Sequence, residues 1–580
     1  MIDIVNKEIK SFLSSIDGMD KNVLSIINEK YSTTISDDLK NGHLTSNVCM
    51  VAASILNLNP KDLAKELEEK LKKLNKFQEI KVAGPGFINI SLNRKDFISI
   101  LDEINNNKEK FGESNLGNGN KIQIEFVSAN PTGPLHVGHG RGAAYGDALA
   151  RILTKTGSIV EKEYYINDAG RQIDILTASV ITKLLQKNLG NFSPQNTYKG
   201  KYIEEIGIAF SKEKVVSYKE PKLIINNLPG DAEEEIDQII SNLKEMDNKI
   251  WDEVKEFSLK NILDLIKQDL GSFNVNFDNW FQESSLGDLK DPNSQISTLV
   301  NKLKEDDNAY EKDGALWLNT DVSGDDKHRV LIRDDGRATY FASDVAYHKN
   351  KVDRKFDTLI NIWGADHHGY IKRIEASIEA LGSKKEKLVV KLVQFANLFK
   401  DGKKVKMSTR SGEFFTLKDL INDIGADAAR FYYLSKQADQ HLDFDIDLAK
   451  SDSKENIFYY IQYAHARIFS LEKKFNENNQ GKNINSISEE STSYDKYDKL
   501  IHEISKYPNI VKKSAQTLQP HLIIFYLRDL SQLFHSYYND NHVLSESEEN
   551  MKSIIFCLSA VRQTIANGLT LLGISPMQKM

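Results

Sequence analysis

Cysteine is almost absent from this chain. Only Cys49 and Cys557 occur among 580 residues, far apart in sequence. A disulfide framework and a cysteine-rich zinc module are excluded, and a reducing compartment, the cytoplasm, is the expected setting. Long apolar runs are missing too. No uninterrupted run of about 18 apolar residues occurs, so no membrane-spanning helix is expected. The opening residues "MIDIVNKEIKSFLSSI" carry early acids and no apolar core, so no signal peptide is expected. Positive charge is not in excess: 76 Lys and Arg against 83 Asp and Glu leave a formal charge of −7. That balance disfavours wholesale coating by nucleic acid. It leaves room for a local basic stripe, because the field that matters is local.

What is present is length and a changing pattern. A chain this long divides into about two to four domains. Before residue 105, "NPKDLAKELEEKLKKL" reads as a helix, and "IKVAGPGFINISLN" reads as a strand interrupted by a Gly-Pro-Gly turn. The Asn/Gly/Lys-rich stretch 105–121 has no apolar period and reads as a linker, as does the polar stretch 476–496. From 122 to 450, strand-like runs (IQIEFV, VEKEYYI, ALWLNT, HRVLIR, TLINIWG, KLVVKLVQF) alternate with helical ones. Such alternation predicts a mostly parallel α/β sheet with helices on its faces, interrupted by a helical insertion at about 180–270. Beyond 453 the pattern is helical. The expected architecture is a multidomain α/β protein in three parts. An α+β domain over 1–110 precedes a Rossmann-like catalytic domain over 111–452, and an all-α domain fills 453–580.

The stretch "SANPTGPLHVGHGRGAAYGDALARIL", residues 128–153, carries the chemistry. Gly138, Gly140 and Ala143 satisfy a dinucleotide fingerprint, but the first glycine should directly follow the strand. Here ten residues, Pro131 and Pro134 among them, separate Val127 from Gly138. A zinc site would need further ligands from distant residues, with no help from cysteine. A nucleotide-activating site uses every feature. The loop leaves the carboxyl end of a strand, where open α/β sheets bind ligands. His136 and His139 open a helix whose free N–H groups favour phosphate. Gly138 between them lets a flat base approach the backbone. Two imidazoles, neutral or protonated, can donate hydrogen bonds as charge builds on phosphate oxygens.

H-V-G-H within "EFVSANPTGPLHVGHGRGA" resembles the first signature of class I aminoacyl-tRNA synthetases, and the surroundings are similar to those of arginyl-tRNA synthetases. "KMSTR", residues 406–410, resembles the family's second ATP signature. The resemblance implies that His136, His139 and Lys406 serve catalysis and that Gly138, Met407, Ser408 and Arg410 contact ATP, which enters with Mg2+. Thr409 stands where the family has a second lysine, so Lys406, Arg410 or Lys404 must supply that charge. "ATYFASDVAYHK" resembles the family's arginine-reading run, with Asp344 pairing with the guanidinium and Tyr340 supporting it. Four residues apart, the two share a helix face, and a carboxylate suits the guanidinium's fork of donors.

By the same resemblance Glu125 and Asn130 hold the α-amino group of arginine. Glu125, in an apolar strand, needs a partner in any case. Asp366 in "WGADHHGY" faces ATP or arginine, and His367 and His368 point apart if that segment is extended. Phe87 and Asn89 resemble the part of the N-terminal domain that touches the tRNA elbow. Tyr460 and Tyr463, three apart on a helix, resemble the start of the anticodon-binding domain, where rings stack on unpaired bases. The chain's final residues also end as family members end, near the anticodon. The resemblance thus implies a monomeric, cytoplasmic arginine–tRNA ligase without a membrane partner. Its substrates are ATP, arginine and tRNA(Arg), and its activation step needs bound tRNA. A relative charging another amino acid such as cysteine lacks zinc-binding cysteines here and leaves Asp344 unexplained. A tRNA-binding regulatory protein descended from a synthetase leaves the ATP signatures unexplained.

Overall fold

The computed structural model describes residues 2–16, 19–214, 216, 218–320, 327–405, 414–478, 497–541, 543 and 546–580. Near the N-terminus a four-stranded antiparallel sheet is ordered Thr33–Ile35, Leu44–Ser46, Phe87–Leu92, Phe77–Ala83. The Gly-Pro-Gly turn joins the last two as a hairpin, with Gly84 and Gly86 at positive φ. Strand alternation buries Ile88, Ile90 and Leu92 and turns Phe87 and Asn89 to the other face.

The central sheet has five parallel strands, in the order Leu388–Val393, Thr358–Gly364, Lys121–Glu125, Ile159–Ile166, Asn279–Gln282. The first strand in the chain lies in the middle and later strands are added on both sides. The crevice where the direction of addition reverses opens at the strands' carboxyl ends, beside Glu125 and Gly364. Four helices, Arg171–Leu184, Lys201–Glu213, Ala232–Met246 and Asn248–Ser272, form the insertion between the fourth and fifth strands of that order. Two of the strand-like runs do not join the parallel sheet. Ala315–Leu318 is the middle strand of a separate three-stranded sheet, pairing antiparallel with Arg329–Ile332 on one side and Ala309–Lys312 on the other. Strands of four residues fix neither direction nor partner by their own pattern.

Stretch 105–121 is not a free linker. The helix Arg94–Asn107 runs into it, the Asn567 side chain donates to the Lys108 carbonyl (2.8 Å), and the buried Phe111 ring stacks on Tyr507 at 5.7 Å. The other proposed linker lies mostly outside the described residues. Beyond 453 the described residues are helical, the longest being Ile457–Asn478, His521–Asp540 and Glu548–Leu571. Glu548–Leu571 is long and apolar enough to cross a membrane although it contains no unbroken apolar run, but 72% of its apolar window is buried against its neighbours. The C-terminal tail folds back on Ile457–Asn478: Gln462 Nε2 donates to Ser575 O (2.9 Å) and His465 Nδ1 lies 2.7 Å from Met577 O.

Candidate active site

The central strand Lys121–Glu125 leads into a turn in which Val127 and Ser128 adopt φ of 66° and 39°. A β-branched residue rarely enters that region, and such strain collects at functional sites. The loop then forms a strip with a distant segment. Val137 N donates to Phe415 O (3.3 Å) and Leu417 N to Leu135 O (2.8 Å). Thus the first signature is hydrogen-bonded to the residues that closely follow the second. Lys406, Met407, Ser408, Thr409 and Arg410 lie outside the described residues. Lys404, the alternative cation, is exposed on a two-residue strand paired with Phe399.

The helix Val137–Lys155, here the histidine helix, is capped by the histidines themselves. His136 Nδ1 accepts from Gly138 N (3.0 Å), His139 Nδ1 accepts from His136 N (3.3 Å), and the rings stack at 3.8 Å. Two consequences follow. With Nδ1 an acceptor, each neutral imidazole carries its proton on Nε2 and can donate from there. Burial lowers both pKa values, that of His139 to about 3, with His136 adding to the effect. Burial thus favours the neutral form of both imidazoles. Gly138 has a second role as well: a Cβ there would come within 2.7 Å of His136 Cε1 and break the cap.

These histidines border a cleft of about 380 Å³ shared with Gly138, Trp363, Asp366 and Phe395. Asp366, expected among the arginine-binding residues, opens onto this cleft with its side chain 62% exposed. Residues 365–370 form a 3-10 helix, so the opposite-faces argument for His367 and His368 does not apply.

Asp344, Glu283 and Glu125 form an acidic cluster on the elements around the cleft. Asp344 sits on the helix Tyr340–Asp353, which is capped by Thr339. Its carboxyl is pushed up to about 7 by burial and by the facing Glu283 and Glu125, against the lowering effect of a hydrogen bond from Tyr370 and of Lys351. The hydroxyl that supports Asp344 is that of Tyr370, not Tyr340. Tyr340 is the first residue of the helix and is 65% exposed. Its hydroxyl points to the turn at Gly170. A first-turn side chain lies back over the preceding loop, so four-residue spacing does not place it beside Asp344.

Glu125 has the partner its burial requires. The fully buried Lys351 ammonium lies 2.5 Å from it and also donates to Asn361 Oδ1 (2.8 Å). Asn130 is exposed and lines the histidine cleft, its amide 3.2 Å from that of Asn167. Glu283 receives hydrogen bonds from Tyr165 and Ser343, and burial raises its pKa. Three carboxyl groups thus share one neighbourhood, and its buried ammonium is committed to Glu125. Neither Asp344 nor Glu283 has an ion pair among the described residues.

The remaining candidates lie far from this cluster. Phe87 is 36% exposed, and Asn89 accepts from Thr45 Oγ1 (3.0 Å). Tyr463 stacks on Tyr459 (5.9 Å) and on His535 (5.7 Å), while Tyr460 tilts onto the same His535 (4.3 Å). Arg467 lies over the Tyr463 and Tyr538 rings. The continuous row is therefore Tyr459, Tyr463, Arg467, at four-residue spacing.

A parallel sheet with its crevice at the switch point, a histidine pair capping the following helix, and a strip joining that first signature to Phe415–Leu417 define a class I aminoacyl-tRNA synthetase. Residues 100–480 match the family model described as "tRNA synthetases class I (R), catalytic domain". Residues 3–92 match the arginyl-tRNA synthetase N-terminal domain, and residues 461–580 the DALR anticodon-binding domain. The chain belongs to the arginyl-tRNA synthetase family. It is 43% identical over 563 residues to an arginine–tRNA ligase of Thioalkalivibrio sulfidiphilus, covering 94% of each chain. To one of Nitrosospira multiformis it is 41% identical, covering 100% of both. The arginyl-tRNA synthetase of Thermus thermophilus, 20% identical, shares the fold with a TM-score of 0.72 over 96% of this chain and 98% of that one. The activity is accordingly that of an arginine–tRNA ligase, with ATP as a substrate.

Proposed function

We propose that the acidic cluster reads the arginine side chain and that the histidine cleft activates its carboxylate. In the first step an arginine carboxylate oxygen forms a bond to the α-phosphorus of ATP. The bond from that phosphorus to the bridging oxygen breaks, and pyrophosphate leaves. In the second, a terminal ribose hydroxyl of the tRNA, the 2′-OH in this class, attacks the arginyl carbonyl and AMP leaves. The observation that carries the assignment is the pair of carboxyl groups, Asp344 and Glu283, without a cation. Bringing a guanidinium between them relieves their repulsion and supplies a planar array of donors. Tyr370 orients Asp344. Glu125, held by Lys351, and Asn130 stand at the cluster's other side, toward the α-amino group.

The two Nε2–H groups of His136 and His139 donate to phosphate oxygens as charge develops, an effect worth about 3–4 kcal/mol per well-placed donor. Lys406 and Arg410 supply positive charge from the second signature, with Met407 and Ser408 against the nucleotide. Magnesium, when bound, neutralises the ATP phosphates. The donors here suit an ion carried on substrate phosphates, with Asp366 as the cleft's exposed carboxylate. Residues 1–110, through Phe87 and Asn89, meet the tRNA elbow. Residues 111–452 perform the chemistry, and residues 453–580, through the Tyr463 row with Tyr460 beside it, meet the anticodon. The protein works as a cytoplasmic monomer. ATP–pyrophosphate exchange with each of the twenty amino acids, with and without tRNA, tests this reading. Exchange with arginine alone, and only with tRNA present, is expected; exchange with lysine or citrulline at comparable efficiency overturns the assignment of the cluster.

A further inference from the structure

Phe395 is a large apolar side chain left 46% exposed in the cleft that the histidines border. Its ring lies near two glycines, one from the first signature and one at the end of the strand Thr358–Gly364. A Cβ on Gly138 would stand 3.6 Å from Phe395 Cδ1, and one on Gly364 would stand 3.7 Å from Cζ. Trp363 beside it is already engaged with His367 and Tyr370, whereas Phe395 has no ring partner among the described residues. The turn that carries it is held from both sides. Gln394 N donates to Ala438 O (2.8 Å), and Gln394 O accepts from Arg141 Nη1 (2.8 Å). Arg141 is 1% exposed and lies on the histidine helix two residues beyond His139, so the ring and the histidines are referred to one rigid element.

We propose that Phe395 is the stacking platform for an adenine base in this cleft, that of ATP, with Arg141 as the residue that positions it. The inference rests on the reading that the histidine cleft takes ATP. An aromatic ring held at the height of the helix N-terminus meets a flat base without ordering a mobile loop, and every purine offers a π-face to it. The terminal adenosine of tRNA offers the same base, so the test must separate the two. Phe395→Ala and Phe395→Trp are compared with the parent in arginine-dependent ATP–pyrophosphate exchange and in aminoacylation. For Phe395→Ala the KM for ATP is expected to rise about tenfold. The KM values for arginine and tRNA and the kcat at saturating ATP stay within about twofold, and Phe395→Trp restores the ATP value. Inhibition by inorganic tripolyphosphate, which has the phosphates without the base, is expected to be unchanged in Phe395→Ala. An unchanged KM for ATP, a rise confined to tRNA, or an equal weakening of tripolyphosphate overturns the proposal. If the parent protein shows no arginine-dependent exchange, the underlying reading fails instead.

Discussion

At the scale of single residues, the site is built from groups whose protonation is set by burial. His136 and His139 favour the neutral form because desolvation disfavours the imidazolium. Exchange measured at saturating substrates should therefore show no loss between pH 6 and 8 attributable to an imidazole. A titration near 6.5 in kcat that disappears in His139→Asn would contradict this. Asp344 behaves in the opposite sense. Its carboxyl titrates at about 7 in the free protein and must be ionised to receive a guanidinium. Thus kcat/KM for arginine should fall as pH drops below about 7 while kcat does not. The same shift has a cost for the fold. A carboxyl whose pKa is raised on folding loses stability as pH rises from its ordinary range to about 7, and the penalty is then constant. Asp344→Asn should accordingly raise the thermal midpoint of the substrate-free protein at pH 8 while removing arginine-dependent exchange; a lowered midpoint would show that the carboxylate is stabilising. Gly138→Ala is expected to keep the fold and reduce kcat by about a hundredfold, because its Cβ displaces the His136 ring.

At the scale of elements, the histidine helix organises the surroundings. Arg141, one turn in, donates to three main-chain carbonyls, Gln394 O, Gln437 O and Gln440 O. Arg141→Ala removes a donor shared by three partly buried carbonyls and should destabilise by about 3 kcal/mol in urea unfolding, whereas Arg141→Lys recovers only part. Local pattern made much of this scale legible. All six strand-like runs contain strands, and four of them joined the parallel sheet, while Ala315–Leu318 and Arg329–Ile332, four residues each, paired antiparallel instead. H-V-G-H announced a helix start, since histidines with a glycine between them can serve as their own cap. What was not legible depended on partners remote in sequence. Stretch 105–121 reads as a linker because Asn567, which fixes its carbonyls, is more than 400 residues away. Tyr370 outcompeted Tyr340 as the support of Asp344 for the same reason, although it stands in a stretch already noticed. Lys351 had a usable signal: seven residues after Asp344 on a helix, it returns to the same face.

At the scale of the whole molecule, one buried ion pair draws the parts together. Asp147 of the histidine helix and Arg430 are both fully buried and 2.7 Å apart. The same guanidinium donates to Phe273 O at the end of the insertion and to Leu572 O near the C-terminus (both 2.9 Å). Arg430→Met leaves Asp147 paired with Arg151 (2.7 Å) and Lys162 (3.2 Å), whereas removing Asp147 strands the buried guanidinium and should cost about 3–5 kcal/mol, so Asp147→Leu alone should unfold at markedly lower urea. The double variant Asp147→Leu with Arg430→Met should recover a large part of that loss; equal damage in both would mean that the carbonyl contacts, not the pairing, carry the stability. The strip between Leu135–Val137 and Phe415–Leu417 has a different kind of consequence. Its bonds are made by main-chain atoms alone, so mutation can exchange side chains on either edge without breaking them. A single inserted or deleted residue on one edge, by contrast, shifts the histidines out of step with the other. Over generations, such a contact guards the spacing of letters rather than the letters themselves.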